Sequence, residues 1–342
     1  MIKLFTGLAV ASTMAVLGLS SAALSQDTYN MKFQSSDNAG QQNFLLKKEW
    51  AERVKAMSNG RIDIEMMPVG SVVKHTETLD AISAGILDGH VTDTSYFTGK
   101  DPAFGLLANP TGAWSDPNEM LLFIEHGGGR ELYEELLAPY GLQFIGASAT
   151  GLEAFVSKVP LNGVDDLKGL KMRAPEGLVQ QVFAAAGAAP VGLPASEVFT
   201  SLDKGVISAA DYTVFSTNHQ QGLHDVAPHP VYPGFHSLPV LEVSMNKQKW
   251  DGMGPDLQAI LRVSVRDFAR QMTSRLKMLD LKAVAEAKGN PQITVHDWPQ
   301  AERAKFRRIA TEQWKTFAAK SPNAQKVYDT LTTFLTDTGM LQ

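Results

Sequence analysis

Two stretches of this chain are copies of one unit, and that repeat limits the fold more than any other feature. The first is Pro68-Val69-Gly70 followed by Leu79-Asp80-Ala81-Ile82-Ser83-Ala84-Gly85-Ile86-Leu87-Asp88-Gly89. The second is Pro190-Val191-Gly192 followed by Ser201-Leu202-Asp203-Lys204-Gly205-Val206-Ile207-Ser208-Ala209. Each reads as a turn, an amphipathic helix, a glycine that ends it and a short apolar strand. Gly85 and Gly205 stand where the residue after a helix needs positive φ. The copies lie about 120 residues apart, far more than a solenoid repeat. Two similar α/β lobes follow, not a stacked array.

The remaining elements fit two lobes. Strands are predicted at Asn30–Gln34, Arg61–Met66, Leu142–Ala147, Ala154–Ser157 and Pro239–Met245, and helices at Asn43–Ser58 and Leu178–Ala186. From about Pro255 the pattern is mostly helical, with apolar periodicity over Leu257–Lys288 and Ala301–Lys320. Strands alternating with helices argue for α/β lobes, and the helical tail can brace both.

The first 25 residues read as a secretory signal, with Lys3 ahead of an apolar run from Leu4 to Leu19 and small residues at Ala23 and Ser25. The run is short for a membrane span and is broken by Thr6, Ser12 and Thr13. Of the 342 residues, 317 would remain, carrying 30 basic and 36 acidic side chains. That mild acidity gives no nucleic-acid footprint. Without cysteine there are no disulfides, thiolate metal sites or cysteine nucleophiles.

Catalytic motifs are missing. There is no G-x-S-x-G, no phosphate-binding loop, no dinucleotide fingerprint and no H-E-x-x-H. Gly127-Gly128-Gly129 lacks the Lys-Ser/Thr of a phosphate loop and reads as a tight turn. His219, His224, His229 and His236 are irregularly spaced and read as scattered loop histidines rather than a metal set. A secreted hydrolase would need a nucleophile with a base, or a catalytic metal, and the sequence offers no such set. One stretch stands out, Asp165-Asp166-Leu167-Lys168-Gly169-Leu170-Lys171-Met172-Arg173-Ala174-Pro175. A short β run there ends in Arg173 just before a loop. An arginine so placed can grip a carboxylate through two parallel hydrogen bonds, or it can be an ordinary surface residue.

On these residues the chain resembles the periplasmic solute-binding subunits of tripartite ATP-independent periplasmic (TRAP) transporters. The resemblance covers nearly the whole chain after residue 25. It rests on Asp166 to Arg173, on the unit from Glu197 to Ala210, and on Lys100-Asp101-Pro102-Ala103-Phe104. Finer matches are Gly127-Gly128-Gly129 with Glu131-Leu132-Tyr133, and Val226-Ala227-Pro228 with Tyr232-Pro233-Gly234. These resemble the branch that binds 2-oxo acids and hydroxy acids.

The resemblance implies a two-lobed α/β periplasmic binding protein fold with a hinge, a ligand cleft and a largely helical C-terminal region. Lobe I would comprise 26–150 with about 239–278, and lobe II 151–238 with about 279–306. Residues 307–342 would brace them. The family's carboxylate-pairing arginine falls on Arg173. In the 2-oxo acid branch a cation bridges to the ligand, held by a Gln after a Thr-Gly pair and by a Glu-Trp pair. Here Thr150-Gly151-Leu152 leads to Glu153, and Asp211-Tyr212 replaces Glu-Trp. Glu153, Asp211 and Tyr212 keep oxygen ligands suited to Ca²⁺ or Na⁺. The two acids can instead meet an ammonium, so that the ligand is a zwitterion such as an amino acid or taurine, or they can hold a proton.

Aromatic residues at matching strand ends, Tyr96 and Phe97 in one copy and Tyr212 and Phe215 in the other, are candidates for the pocket wall. Asn218, Phe235 and His236 are candidates for its mouth, and Gln34 and Asn38 for hydrogen bonds from a helix start. The expected role is periplasmic capture of a small organic anion and its delivery to TRAP membrane subunits, or to a receptor that senses it. With little chain after Val327 to Leu335 for an added dimerisation helix, a monomer is expected.

Overall fold

The structure, a computed structural model, describes residues 27–341 apart from Pro194. The segment read as a secretory signal lies outside the described residues. The strands are β1 (Tyr29–Ser35), β2 (Ile62–Met67), β3 (Gly89–Asp93), β4 (Leu142–Ala149), β5 (Ala154–Ser157), β6 (Lys171–Arg173), β7 (Ala189–Val191), β8 (Ala209–Thr213) and β9 (Val240–Asn246). They form two sheets, a five-stranded one in the order β2-β1-β3-β9-β4 and a four-stranded one in the order β5-β8-β6-β7. In the first, β1 runs parallel to β2 and β3, and β9 is antiparallel to both neighbours. In the second, β8 is parallel to β6 and antiparallel to β5. The architecture is the two-lobed α/β fold that the repeat implied.

The two copies adopt one order of elements. After β2 come a 3₁₀ turn (His75–Glu77), the helix Thr78–Ser83 and Gly85, then β3. After β7 come a 3₁₀ turn (Ala195–Glu197), the helix Val198–Asp203 and Gly205, then β8. Gly85 and Gly205 have φ of 72° and 70° with open space around them. The backbone conformation, not crowding, therefore selects glycine there. Both repeat strands lie inside their sheets. β3 and β9 are buried along nearly their full length, as strands covered on both faces must be.

One helix serves both sheets. Pro255–Gly289 is 35 residues long. Its Leu261, Val265, Phe268 and Met272, spaced for one helical face, join the core of the first sheet with Trp50. Its Ala283, Val284 and Ala287 pack with Phe215 and Ala154 beside the second. The helix Gln300–Ala318 also reaches both. Phe306 packs on Phe183 and Phe235, while Trp314 Nε1 donates to the Thr111 carbonyl. The sequence reading left out the helices Pro102–Ala108 and Pro117–His126. Both begin with proline after a capping aspartate, Asp101 and Asp116.

The chain crosses between the sheets after β4 and again before β9. The two crossings touch, since Glu153 N–H donates to the Ser237 carbonyl at 2.9 Å. Gly234 lies under this contact, and a Cβ there would meet the Glu153 carbonyl oxygen at 2.2 Å. This close approach explains the glycine of Tyr232-Pro233-Gly234.

Candidate functional site

A cavity of about 440 Å³ lies between the sheets. Asn38, Asp93 and Tyr96 line it from the first side, and Glu153, Arg173 and Tyr212 from the second. Asp93 ends β3 and Arg173 ends β6, so the walls sit at the carboxyl ends of parallel strands, where open α/β sheets bind ligands.

Arg173 is only 6% exposed. Its Nε donates to the Leu193 carbonyl at 3.2 Å, and Nη1 donates to the Asp211 carbonyl at 2.7 Å. Both acceptors are neutral. Among the described residues Arg173 forms no ion pair and Nη2 makes no hydrogen bond. A buried cation without an ion-pair partner is costly.

Behind this wall lies an acid cluster. Glu153, Asp211 and His236 each offer an atom within 4.8 Å of the others. Asp211 is fully buried in β8, where Oδ1 accepts from His236 Nε2 at 2.9 Å and Oδ2 accepts from Ser237 Oγ at 3.4 Å. Burial opposes ionisation of Asp211, but His236, the Glu153 carboxyl and Arg173 outweigh it and hold its carboxyl below the usual range. Burial pushes Glu153 well up, and the charge of Asp211 adds to that. The two shifts run in opposite directions, so a proton shared by the pair resides on Glu153. Asp93 is pushed up to about 6, by burial first and by Asp211, with the amide and hydroxyl of Ser95 and the charge of Arg173 opposing.

The aromatic candidates divide. Tyr96 lines the cavity and meets His75 edge-on at 4.6 Å. Tyr212 lines it too, and its phenol oxygen accepts from Gln41 Nε2 at 3.4 Å across the cleft. The Tyr212 side chain is thus outside the acid cluster, and His236 is the third member. Phe97 is not on the wall: it is core, stacked on His90 and edge-on to Phe104. Phe215 is core as well, packed on His224 and Tyr232.

Four further expectations are corrected. Phe235 is not at a mouth but stacks on Trp298 with ring centroids 3.8 Å apart. Asn218 is buried, its Nδ2 donating to the Ala154 and Thr213 carbonyls. Gln34 clamps a loop, with Oε1 accepting from the Val72 and Val73 amides and Nε2 donating to the Val73 carbonyl. His236 lies beneath the wall, against Asp211. Asn38 does line the cavity. The other histidines are not scattered: His219 pairs with His224 through Nδ1 atoms at 3.0 Å, and His229 pairs with His296 at 3.1 Å.

Sequence reasoning missed Asp93, Ser95, Gln41 and Asn109, all cavity-lining. Asp93 carried a signal. It ends the first repeat strand as Thr213 ends the second, so carrying the repeat forward by one strand would have named it.

Residues 34–321 match the family model DctP, bacterial extracellular solute-binding protein, family 7. The chain belongs to that family, that of the TRAP solute-binding proteins. Its members bind and transport solutes and are not enzymes. The chain is similar to a TRAP periplasmic solute-binding protein of Rhodobacter sphaeroides, solved in an apo open form, at 61% identity and TM-score 0.79 over 91% of this chain and 99% of that one. It is 28% identical, over 80% of each chain, to a monocarboxylate 2-oxoacid-binding periplasmic protein of Nostoc sp.. The structure of a TRAP periplasmic solute-binding protein from Colwellia psychrerythraea, with bound calcium and pyruvate, is 26% identical with TM-score 0.80, over 92% of this chain and 96% of that one. Among the described residues no helix is long and apolar enough to cross a membrane.

Proposed function

We propose that this protein captures a small monocarboxylate, a 2-oxo or hydroxy acid, in the periplasm and delivers it to TRAP membrane subunits. The observation that carries this reading is Arg173, a buried cation on the cavity wall held only by neutral carbonyls. A carboxylate completes it through charge-assisted hydrogen bonds. The donor chemistry fits a hard cation beside the ligand, because Glu153 and Asp211 supply carboxylate oxygens and His236 braces Asp211. Ca²⁺ there would take the place of a proton on Glu153 and neutralise the pair, whereas Na⁺ would offset one of the two charges. A ligand touching both walls shifts the population toward a closed cleft.

A second reading has a specific support, the surplus of buried acids over Arg173. In it the acids meet the ammonium of a zwitterion, an amino acid or taurine, and no metal enters. A thermal-shift screen of oxo acids, hydroxy acids, amino acids and sulfonates, with Ca²⁺ and after chelation, tests both. A monocarboxylate should raise Tm by mass action. If no carboxylate or sulfonate raises it, the anion reading is wrong.

A further inference from the structure

Two side chains on the first-sheet wall of the cavity, Asp93 and Asn109, carry an acceptor oxygen that lacks a full complement of donors. Asp93 Oδ1 accepts from the Ser95 amide at 2.8 Å, and apart from the nearby Ser95 hydroxyl no other donor among the described residues reaches its carboxylate. Asp93 is 9% exposed and lines the cavity. Asn109, 2% exposed, lines it as well, and its Oδ1 is buried with no partner.

The orientation of Asn109 follows from its neighbours. Ser237 Oγ donates its single hydrogen to Asp211 Oδ2 at 3.4 Å, because an ionised carboxylate can only accept. Ser237 Oγ must therefore accept from Asn109, so the atom facing it at 3.2 Å is Nδ2. That leaves Oδ1, a pure acceptor, without a partner. The Ser95 hydroxyl on the same wall also makes no hydrogen bond of normal geometry. The second-sheet wall, by contrast, presents the donor fork of Arg173.

We infer that the ligand carries a hydrogen-bond-donating substituent, a hydroxyl or an ammonium, that is received by Asp93 and Asn109 while its carboxylate meets Arg173. This rests on the carboxylate reading above and narrows it. A bare oxo acid leaves both acceptors unpaired in a closed cleft, and it brings its carbonyl oxygen against a carboxylate. A site with buried acceptors rejects an analogue that lacks the donor far more strongly than an apolar pocket rejects a missing methylene. The repeat makes the same point. Thr213, at the position matching Asp93, can donate or accept, whereas Asp93 when ionised only accepts.

The test is calorimetry at pH 7.5 on the purified protein with matched sets of one carbon skeleton. The probes are pyruvate, lactate and alanine, then acetoacetate, 3-hydroxybutyrate and 3-aminobutyrate. At least one set should show a hydroxy or amino member binding about tenfold or more tightly than its oxo partner. The set tells which donor is preferred. Asp93→Asn, which turns one acceptor into a donor, should bring that ratio to within about twofold. Equal or tighter binding of the oxo member in every set overturns the inference, as does a ratio that Asp93→Asn leaves unchanged. Should Asp93→Asn fail to fold, the wild-type ratios decide. If all members bind equally and lose binding in Arg173→Ala, the carboxylate reading stands and this inference alone fails. If no member binds the wild-type protein at millimolar concentration, both fail.

Discussion

Arg173 and Asp211 are joined through the backbone: Nη1 donates to the Asp211 main-chain carbonyl at 2.7 Å, while the Asp211 carboxylate turns to His236 at 2.9 Å. The peptide group orients the guanidinium without neutralising it. The same residue of β8 thus fixes the guanidinium on the cavity wall and anchors the acid cluster behind it.

Removing that cation should abolish binding while leaving the fold intact. Arg173→Ala is expected to weaken the ligand by about 2–5 kcal/mol, the range for one partner of a buried hydrogen-bonded charge pair. Melting of the ligand-free protein should fall only modestly, because Arg173 makes no ion pair and attracts the Asp211 and Asp93 carboxylates only at longer range. Arg173→Lys keeps the charge but loses the fork, and should weaken binding about tenfold or more. Calorimetry and circular dichroism on the three proteins check this. Undiminished affinity in Arg173→Ala would remove the residue from the site.

The acid pair separates metal from ammonium. With a cation bound, chelation should reduce the ligand-induced rise in Tm, Ca²⁺ should restore it, and Asp211→Asn should make the protein indifferent to both. Full binding of a carboxylate to the chelated wild-type protein counts against the metal and for the zwitterion.

Much of this was legible in the sequence, for physical reasons that differ by residue. Glycine at a positive φ is a local demand, so Gly85 and Gly205 announced the repeat. Arg173 stood out because it closes a short strand before a loop, but that position alone left a surface role open, and it was the family resemblance that favoured the cleft. The aromatics were not. Phe97, Phe215 and Phe235 stand beside cavity residues in sequence, but the side-chain direction that decides wall or core depends on tertiary packing, such as the Trp298 ring under Phe235. Gln34 misled in a related way, since a polar residue at a strand end serves a loop as readily as a ligand. His236 looked like one of several loop histidines because its partner, Asp211, is 25 residues earlier and on another element.

Those corrections predict a split between stability and affinity. Phe235→Ala and Phe215→Ala remove large buried rings and should each destabilise the protein by about 3–5 kcal/mol. Below their lowered melting temperatures the ligand Kd should change little, since neither ring lines the cavity. Denaturant melts with calorimetry check the pair. A Kd raised tenfold with stability unchanged would return either residue to the site.

Asp93 gives the pH dependence its sign. Its folded-state pKa is about 6, against 3.8 for the ordinary carboxyl. Between those values the folded protein keeps a proton that the unfolded chain has released. Asp93 therefore lowers stability as pH rises from about 4 to 6, by about 3 kcal/mol at 1.36 kcal/mol per pKa unit, and contributes no such loss below about 4. Asp93→Asn carries no ionisable group at this position. Its stability relative to wild type, from urea melts without ligand, should improve by about that amount between pH 4 and pH 7.5. Glu153 is also raised, in part by the Asp93 charge, so relief of that repulsion acts in the same direction. His224, lowered to about 3 by burial and His219, loses stability as pH falls. It titrates alike in both proteins and cancels in the difference. A stability difference that is flat with pH would mean that Asp93 ionises as freely in the fold as outside it, and that the acceptor wall is better solvated than its burial implies.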